Sequence, residues 1–199
     1  MSDPLRSAPD DRTPAELLAF GVVNLDKPAG PSAHQVAGWV RDLAGDAVDD
    51  LGAAAADDEE SPPAAESPPA AESPTVDRAA HAGTLDPKVT GCLPMLLGDA
   101  TRMAQVFLEG RKEYVAVLEL HGPRPADLES VLNRFAAPLY QKPPKKSAVR
   151  RKLRVREIYA LELLDHTDRQ ALLRIACESG TYVRKLCHDI GLALGTGAH

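Results

Sequence analysis

The chain has no apolar run approaching the ~20 residues that a membrane-crossing helix needs. Its first twenty residues are polar and lack the apolar stretch of a secretory signal. Cysteine is scarce: Cys92, Cys177 and Cys187 are odd in number and form no Cys-x-x-Cys pair. A disulfide framework, a zinc ribbon and a dithiol redox centre are therefore not expected. His188 beside Cys187 adds no metal site, because adjacent helix positions point apart. Three free thiols, no metal and a cytoplasmic location are the expectation. At 199 residues the chain can bury the core of one large domain or two small ones.

Acidic residues are absent from one stretch where their absence matters. Lys142 to Arg156 holds eight basic residues and no Asp or Glu, in a protein of formal net charge −6. The acid is concentrated elsewhere. Residues 46–78 carry a net −9 and the first twenty a net −2, so the remainder is positive at +5. A basic stripe inside an acidic protein is the footprint of a polyanion partner. Lys142, Lys145, Lys146, Arg150, Arg151 and Lys152 are the candidates for phosphate contact, which positions a nucleic acid without reading its sequence. A solvated surface loop is the plainer alternative. The excess of Arg over Lys and of Asp over Glu suits a high-salt cytoplasm.

Residues 1–13, rich in Pro, Asp and Ser, read as a disordered tail. Residues 46–78 nearly repeat Glu-Ser-Pro-Pro-Ala-Ala and cannot bury enough apolar surface to offset chain entropy. They read as a disordered acidic insert. The folded body is then 14–45 together with 79–199. Its predicted elements are a helical patch at 14–20, a strand at 21–25, and a helix capped by Ser32. In that helix Val36, Trp39, Val40 and Leu43 form one apolar face, so the single Trp is expected in the core. An apolar run at 92–97, a helix with Met103, Val106 and Phe107, and a strand at 112–120 follow. A helix at 126–135, paired strands at 155–164 and 171–176, and a helix at 181–194 complete the set. This irregular alternation predicts an α+β protein with a mixed, mainly antiparallel sheet decorated by helices.

The segment His81-Ala82-Gly83-Thr84-Leu85-Asp86-Pro87-Lys88-Val89-Thr90-Gly91 carries the chemistry. Pro87 fixes its own φ and holds Asp86 out of the α region, and the glycines allow a close ligand approach. One carboxylate is displayed from a rigid loop, as nucleophiles and acid–base groups commonly are. A turn-forming Asp before Pro would look the same. Three further segments accompany it: Lys112-Glu113-Tyr114, the basic stretch from Gln141 to Arg150, and Gly180-Thr181-Tyr182-Val183-Arg184. In this order, from about Asp11 to His199, the four motifs resemble the TruB/dyskerin family of RNA pseudouridine synthases. Within it, Gly-Thr-Leu-Asp-Pro-Lys-Val-Thr-Gly-Cys-Leu is similar to the archaeal and eukaryotic dyskerin branch.

The resemblance implies a cofactor-free isomerisation of uridine to pseudouridine, in rRNA and also tRNA, on a pseudouridine-synthase sheet. Asp86 matches the family's catalytic aspartate. Whether it attacks the sugar, attacks C6 or assists loss of a C2′ proton stays open. Arg184 matches the arginine that pairs with it, and an adjacent guanidinium favours the ionised carboxylate. Tyr114 and Tyr182 match aromatic residues of the pocket. Extruding a base costs a few kcal/mol, and stacking returns about 1–3 kcal/mol per base. Two residues apart, Tyr182 and Arg184 would share one side of an extended segment. His81 matches a histidine near the flipped base, and the basic loop matches an RNA-backbone contact region. An H/ACA guide RNA and small H/ACA ribonucleoprotein proteins are the partners implied, with no membrane. Lys185 departs from the small hydroxyl residue that commonly follows the arginine. The family pattern continues past His199 into a Leu-Arg-Arg segment and a PUA domain, so the expected catalytic domain is partial. A stand-alone tRNA enzyme of the TruB type and an inactive RNA-binding fragment are the alternatives.

Overall fold

The computed structural model describes residues 8–57, 74–143 and 150–199, and the chain divides into two compact units, 1–108 and 109–199.

The first unit opens with a 3-10 turn at Pro9–Asp11 and helix α1 (Pro14–Ala19). A reciprocal capping box starts α1: Glu16 N–H donates to Thr13 Oγ1 and Thr13 N–H to a Glu16 carboxylate oxygen. Strand β1 (Val22–Lys27) alternates its side chains between solvent and core. Ser32 and Gln35 form a second capping box, and helix α2 (Ala33–Asp57) follows. Strands β2 (Ala79–His81) and β3 (Gly91–Leu97) complete an antiparallel sheet in the order β1-β3-β2. A 3-10 segment and helix α3 (Ala104–Glu109) come next.

Helix α2 corrects two expectations. It runs twelve residues into the segment read as an unstructured insert, because Ala47, Leu51 and the alanines after it are good helix formers and Val48 is buried. The start of the tail at 1–7 and the insert residues 58–73 lie outside the described residues. The buried face of α2 is also not the one read from the sequence. Ala33, Val36, Ala37, Ala44 and Val48 point inward, while Trp39 is 55% and Leu43 70% exposed. Small side chains let the helix approach the sheet, where they pack against Leu93, Met95 and Leu97. The apolar run at 92–97 is the central strand of this sheet.

The second unit is a four-stranded antiparallel sheet in the order β4-β7-β6-β5, with β4 (Lys112–Glu119), β5 (Pro138–Gln141), β6 (Arg154–His166) and β7 (Gln170–Cys177). Helices α4 (Leu128–Phe135) and α5 (Val183–Ala193) cover one face. Leu128, Leu132, Leu186 and Ile190 from the helices meet Leu118, Ile158, Leu173 and Ile175 from the strands in one fully buried cluster. The architecture is α+β and every strand pairing described is antiparallel. The body read as one catalytic domain consists of two units, each with its own sheet and core.

Candidate active site

Asp86 belongs to the first unit. It lies between β2 and β3, half-buried, at the start of a turn closed by Val89 N–H donating to Asp86 O at 3.0 Å. Three anchors fix this loop. Leu85 packs on the cluster formed by Ala33, Val36, Leu93 and Met95. Gly30 N–H donates to Pro87 O at 2.8 Å, from a backbone with φ of 121° that only glycine adopts without strain. The Lys27 ammonium, 1% exposed, donates to the same carbonyl at 3.2 Å and to Pro28 O at 2.8 Å. A buried cation is costly unless bonded, and here its bonds go to backbone on both sides of the loop. His81 ends β2 and is half-buried. Burial pushes its imidazole pKa below 6.5; the Gly83 backbone opposes this, and nearby His34 adds to the lowering.

Tyr114, Tyr182 and Arg184 belong to the second unit. Tyr114 lies on β4 opposite Ile175 and packs against the buried cluster. Tyr182 occupies the cap position before α5 with extended backbone, φ −93° and ψ 97°. Its carbonyl accepts from Lys185 N–H and Leu186 N–H, both at 3.0 Å, which starts the helix. Arg184 is the second residue of α5 and is exposed. Tyr182 and Arg184 therefore do not share one side of an extended segment, because the backbone turns helical at Val183. The turn that leads in is Ser179-Gly180, with Gly180 at φ 75° and Thr181 Oγ1 donating to Glu178 O at 2.7 Å.

The basic loop joins β5 to β6. Lys142, Arg150, Arg151 and Lys152 are exposed, and Lys145 and Lys146 lie outside the described residues. Arg151 Nε donates to Pro143 O at 2.9 Å, so this arginine also pinches the loop's base. Lys185, the departure from the family pattern, forms an ion pair with Asp189 one turn on. Among the described residues no group of three or more His, Cys, Asp or Glu could hold a metal ion. No described helix is long and apolar enough to cross a membrane.

Sequence reasoning missed two residues. Lys27 continues the inward row Val23, Leu25, and Gln141 follows Leu139 on the inward side of β5. A polar residue at an inward position of a period-2 pattern was the available signal.

Residues 72–127 match the profile of the TruB family pseudouridylate synthase N-terminal domain, and residues 4–37 match the DKCLD (NUC011) domain. A "Probable tRNA pseudouridine synthase B" of Halobacterium salinarum is 57% identical over 98% of this chain and 55% of its own length. A protein of the same description from Haloarcula marismortui is 55% identical over 98% of this chain and 52% of its own length. The chain thus spans about half the length of the curated relatives it matches. Among solved structures, a chain in the "Crystal Structure of a Cbf5-Nop10-Gar1 Complex" is 40% identical, with TM-score 0.76, covering 100% of this chain and 52% of that one. A chain in a "Structure of H/ACA RNP bound to a substrate RNA containing 2'-deoxyuridine" is 35% identical, with TM-score 0.72, covering 99% and 52%.

Proposed function

This chain belongs to the TruB/dyskerin family, and we propose that the protein is an RNA pseudouridine synthase guided by an H/ACA RNA and acting in the cytoplasm. The observation that carries the proposal is the 40% identity and TM-score of 0.76, along the whole chain, to a protein solved as a Cbf5-Nop10-Gar1 complex. The DKCLD match at residues 4–37 supports the same branch.

In the reaction the N1–C1′ bond of uridine breaks and a C5–C1′ bond forms; C5 loses a proton and N1 gains one. No external oxidant or reductant is needed. Asp86 supplies the anionic carboxylate, and the anchored Pro87 carbonyl keeps its loop from moving as the base turns. The family resemblance gives Arg184 the role of partner to that carboxylate, Tyr114 and Tyr182 that of stacking on the extruded base, and His81 a place near the base. Lys142, Lys145, Lys146, Arg150, Arg151 and Lys152 neutralise phosphates. Proteins of the Nop10 and Gar1 kinds complete the particle.

A second reading, a stand-alone tRNA enzyme, is favoured by the description that the Halobacterium salinarum and Haloarcula marismortui relatives carry. One experiment separates the two. The full-length protein is incubated with an rRNA fragment or a tRNA, with and without guide RNA and the partner proteins, and pseudouridine is mapped. Modification of rRNA only with guide RNA supports the first reading, modification of tRNA alone supports the second, and no pseudouridine under any condition overturns both.

A further inference from the structure

Gln141 is the last residue of β5, the strand from which the basic loop departs, and it is 2% exposed. A buried primary amide needs partners for both its donor and its acceptor. Both are used on one residue. Gln141 Oε1 accepts from Tyr182 N–H at 2.9 Å, and Gln141 Nε2 donates to Tyr182 O at 3.3 Å, across 41 residues of sequence. The side chain pairs with the backbone of Tyr182 as a neighbouring strand would.

The other root of the loop grips the same segment. Arg156, near the start of β6, donates from Nη1 to Glu178 Oε1 at 2.9 Å, and its guanidinium lies against Gly180. The second carboxylate oxygen of Glu178 accepts from Glu157 N–H at 3.1 Å, and Glu178 N–H donates to Glu157 O at 2.8 Å. Both ends of the basic loop therefore hold residues 178–182, the turn that delivers Tyr182 and Arg184.

Resting on the function proposed above, we propose that Gln141 is a positioning residue for the isomerisation. Its amide sets the backbone of Tyr182 from the root of the RNA-contacting loop. RNA held by that loop is thereby matched in register to the Tyr182–Arg184 segment. Gln141 touches neither base nor sugar; it acts through Tyr182.

The test uses the full-length protein assembled with guide RNA and partner proteins, in single-turnover assays at saturating protein. Gln141→Met keeps the volume and removes both bonds. Because misplacement of about 1 Å can cost a hundredfold in rate, the rate constant should fall about ten- to a hundredfold while RNA affinity stays unchanged. A rate equal to wild type overturns the inference, and so does a rate loss matched by an equal loss of RNA affinity. Gln141→Glu decides the matter if the Met variant does not melt cooperatively. Its carboxylate accepts from Tyr182 N–H but repels Tyr182 O, and protonation restores the donor. Its rate relative to wild type should rise as pH is lowered; a constant ratio overturns the inference. Wild-type protein that forms no pseudouridine overturns the functional reading itself, whereas an active wild type with an equally active Met variant overturns this inference alone.

Discussion

The buried Lys27 ammonium donates at 3.2 Å to the carbonyl of Pro87, 60 residues further along the chain, and at 2.8 Å to that of Pro28. Lys27 ends β1 and Pro87 directly follows Asp86, so a single side chain ties the first strand of the unit to the loop that carries the carboxylate. Hydrogen bonds from a charged donor are among the stronger contributions that a protein can make.

Lys27→Met should therefore destabilise the protein by about 1.5–3 kcal/mol, the range for losing hydrogen bonds to a charged group. Loop disorder should also reduce pseudouridine formation by more than the loss of folded protein explains. Urea unfolding and a single-turnover assay well below the unfolding midpoint separate the two effects. Unchanged stability and rate would show that Gly30 and Leu85 hold the loop without the lysine.

His81 should titrate below its ordinary 6.5 in the folded protein, because burial disfavours the charged ring. Its folded pKa lies under its unfolded one, so its contribution to stability is full above about pH 6.5 and is lost as pH falls through that value toward the folded pKa. Histidine ring signals followed by NMR over pH 4–8 check this, with His81→Gln assigning the resonance. A His81 pKa at or above 6.5 would contradict it.

Arg150 and Lys152 should contribute to RNA binding through phosphate alone. Replacing each by Ala should weaken binding to all sequences alike and reduce the slope of log K against log salt by roughly 0.7–0.9 for each phosphate no longer neutralised. Binding isotherms at several salt concentrations measure this. An unchanged slope would return both residues to the solvated surface. Arg151 should differ from them: its bond to Pro143 O means that Arg151→Ala also loosens the loop's base.

The sequence made most of this architecture legible wherever period and cap agreed. Ser32 starts its helix as the capping residue expected there, and the alternation at 112–120 is β4. It misled at α2, where Trp39 and Leu43 share a face with Val36 and Val40 by spacing alone. Hydrophobicity ranks Trp above Ala, whereas packing against β3 selects the narrow Ala33-Ala37-Ala44 surface. Low-complexity composition concealed the helix through Asp57, since alanine favours a helix whether or not it is buried. At the site, the motifs displayed Asp86, Tyr114, Tyr182 and Arg184, the residues to which the proposed function gives roles at the reacting uridine. The anchors Lys27 and Gln141 showed only as polar residues at inward strand positions, with nothing in the sequence to name their long-range partners. Their partners are backbone atoms 60 and 41 residues away, and backbone atoms leave no residue-type signature.

The most direct test of the account is Asp86→Asn in the full-length protein assembled with guide RNA, partner proteins and a target RNA. The amide keeps the shape of the side chain and removes its charge. No detectable pseudouridine is expected, with RNA affinity close to wild type. Pseudouridine formed at a rate comparable to wild type would contradict it.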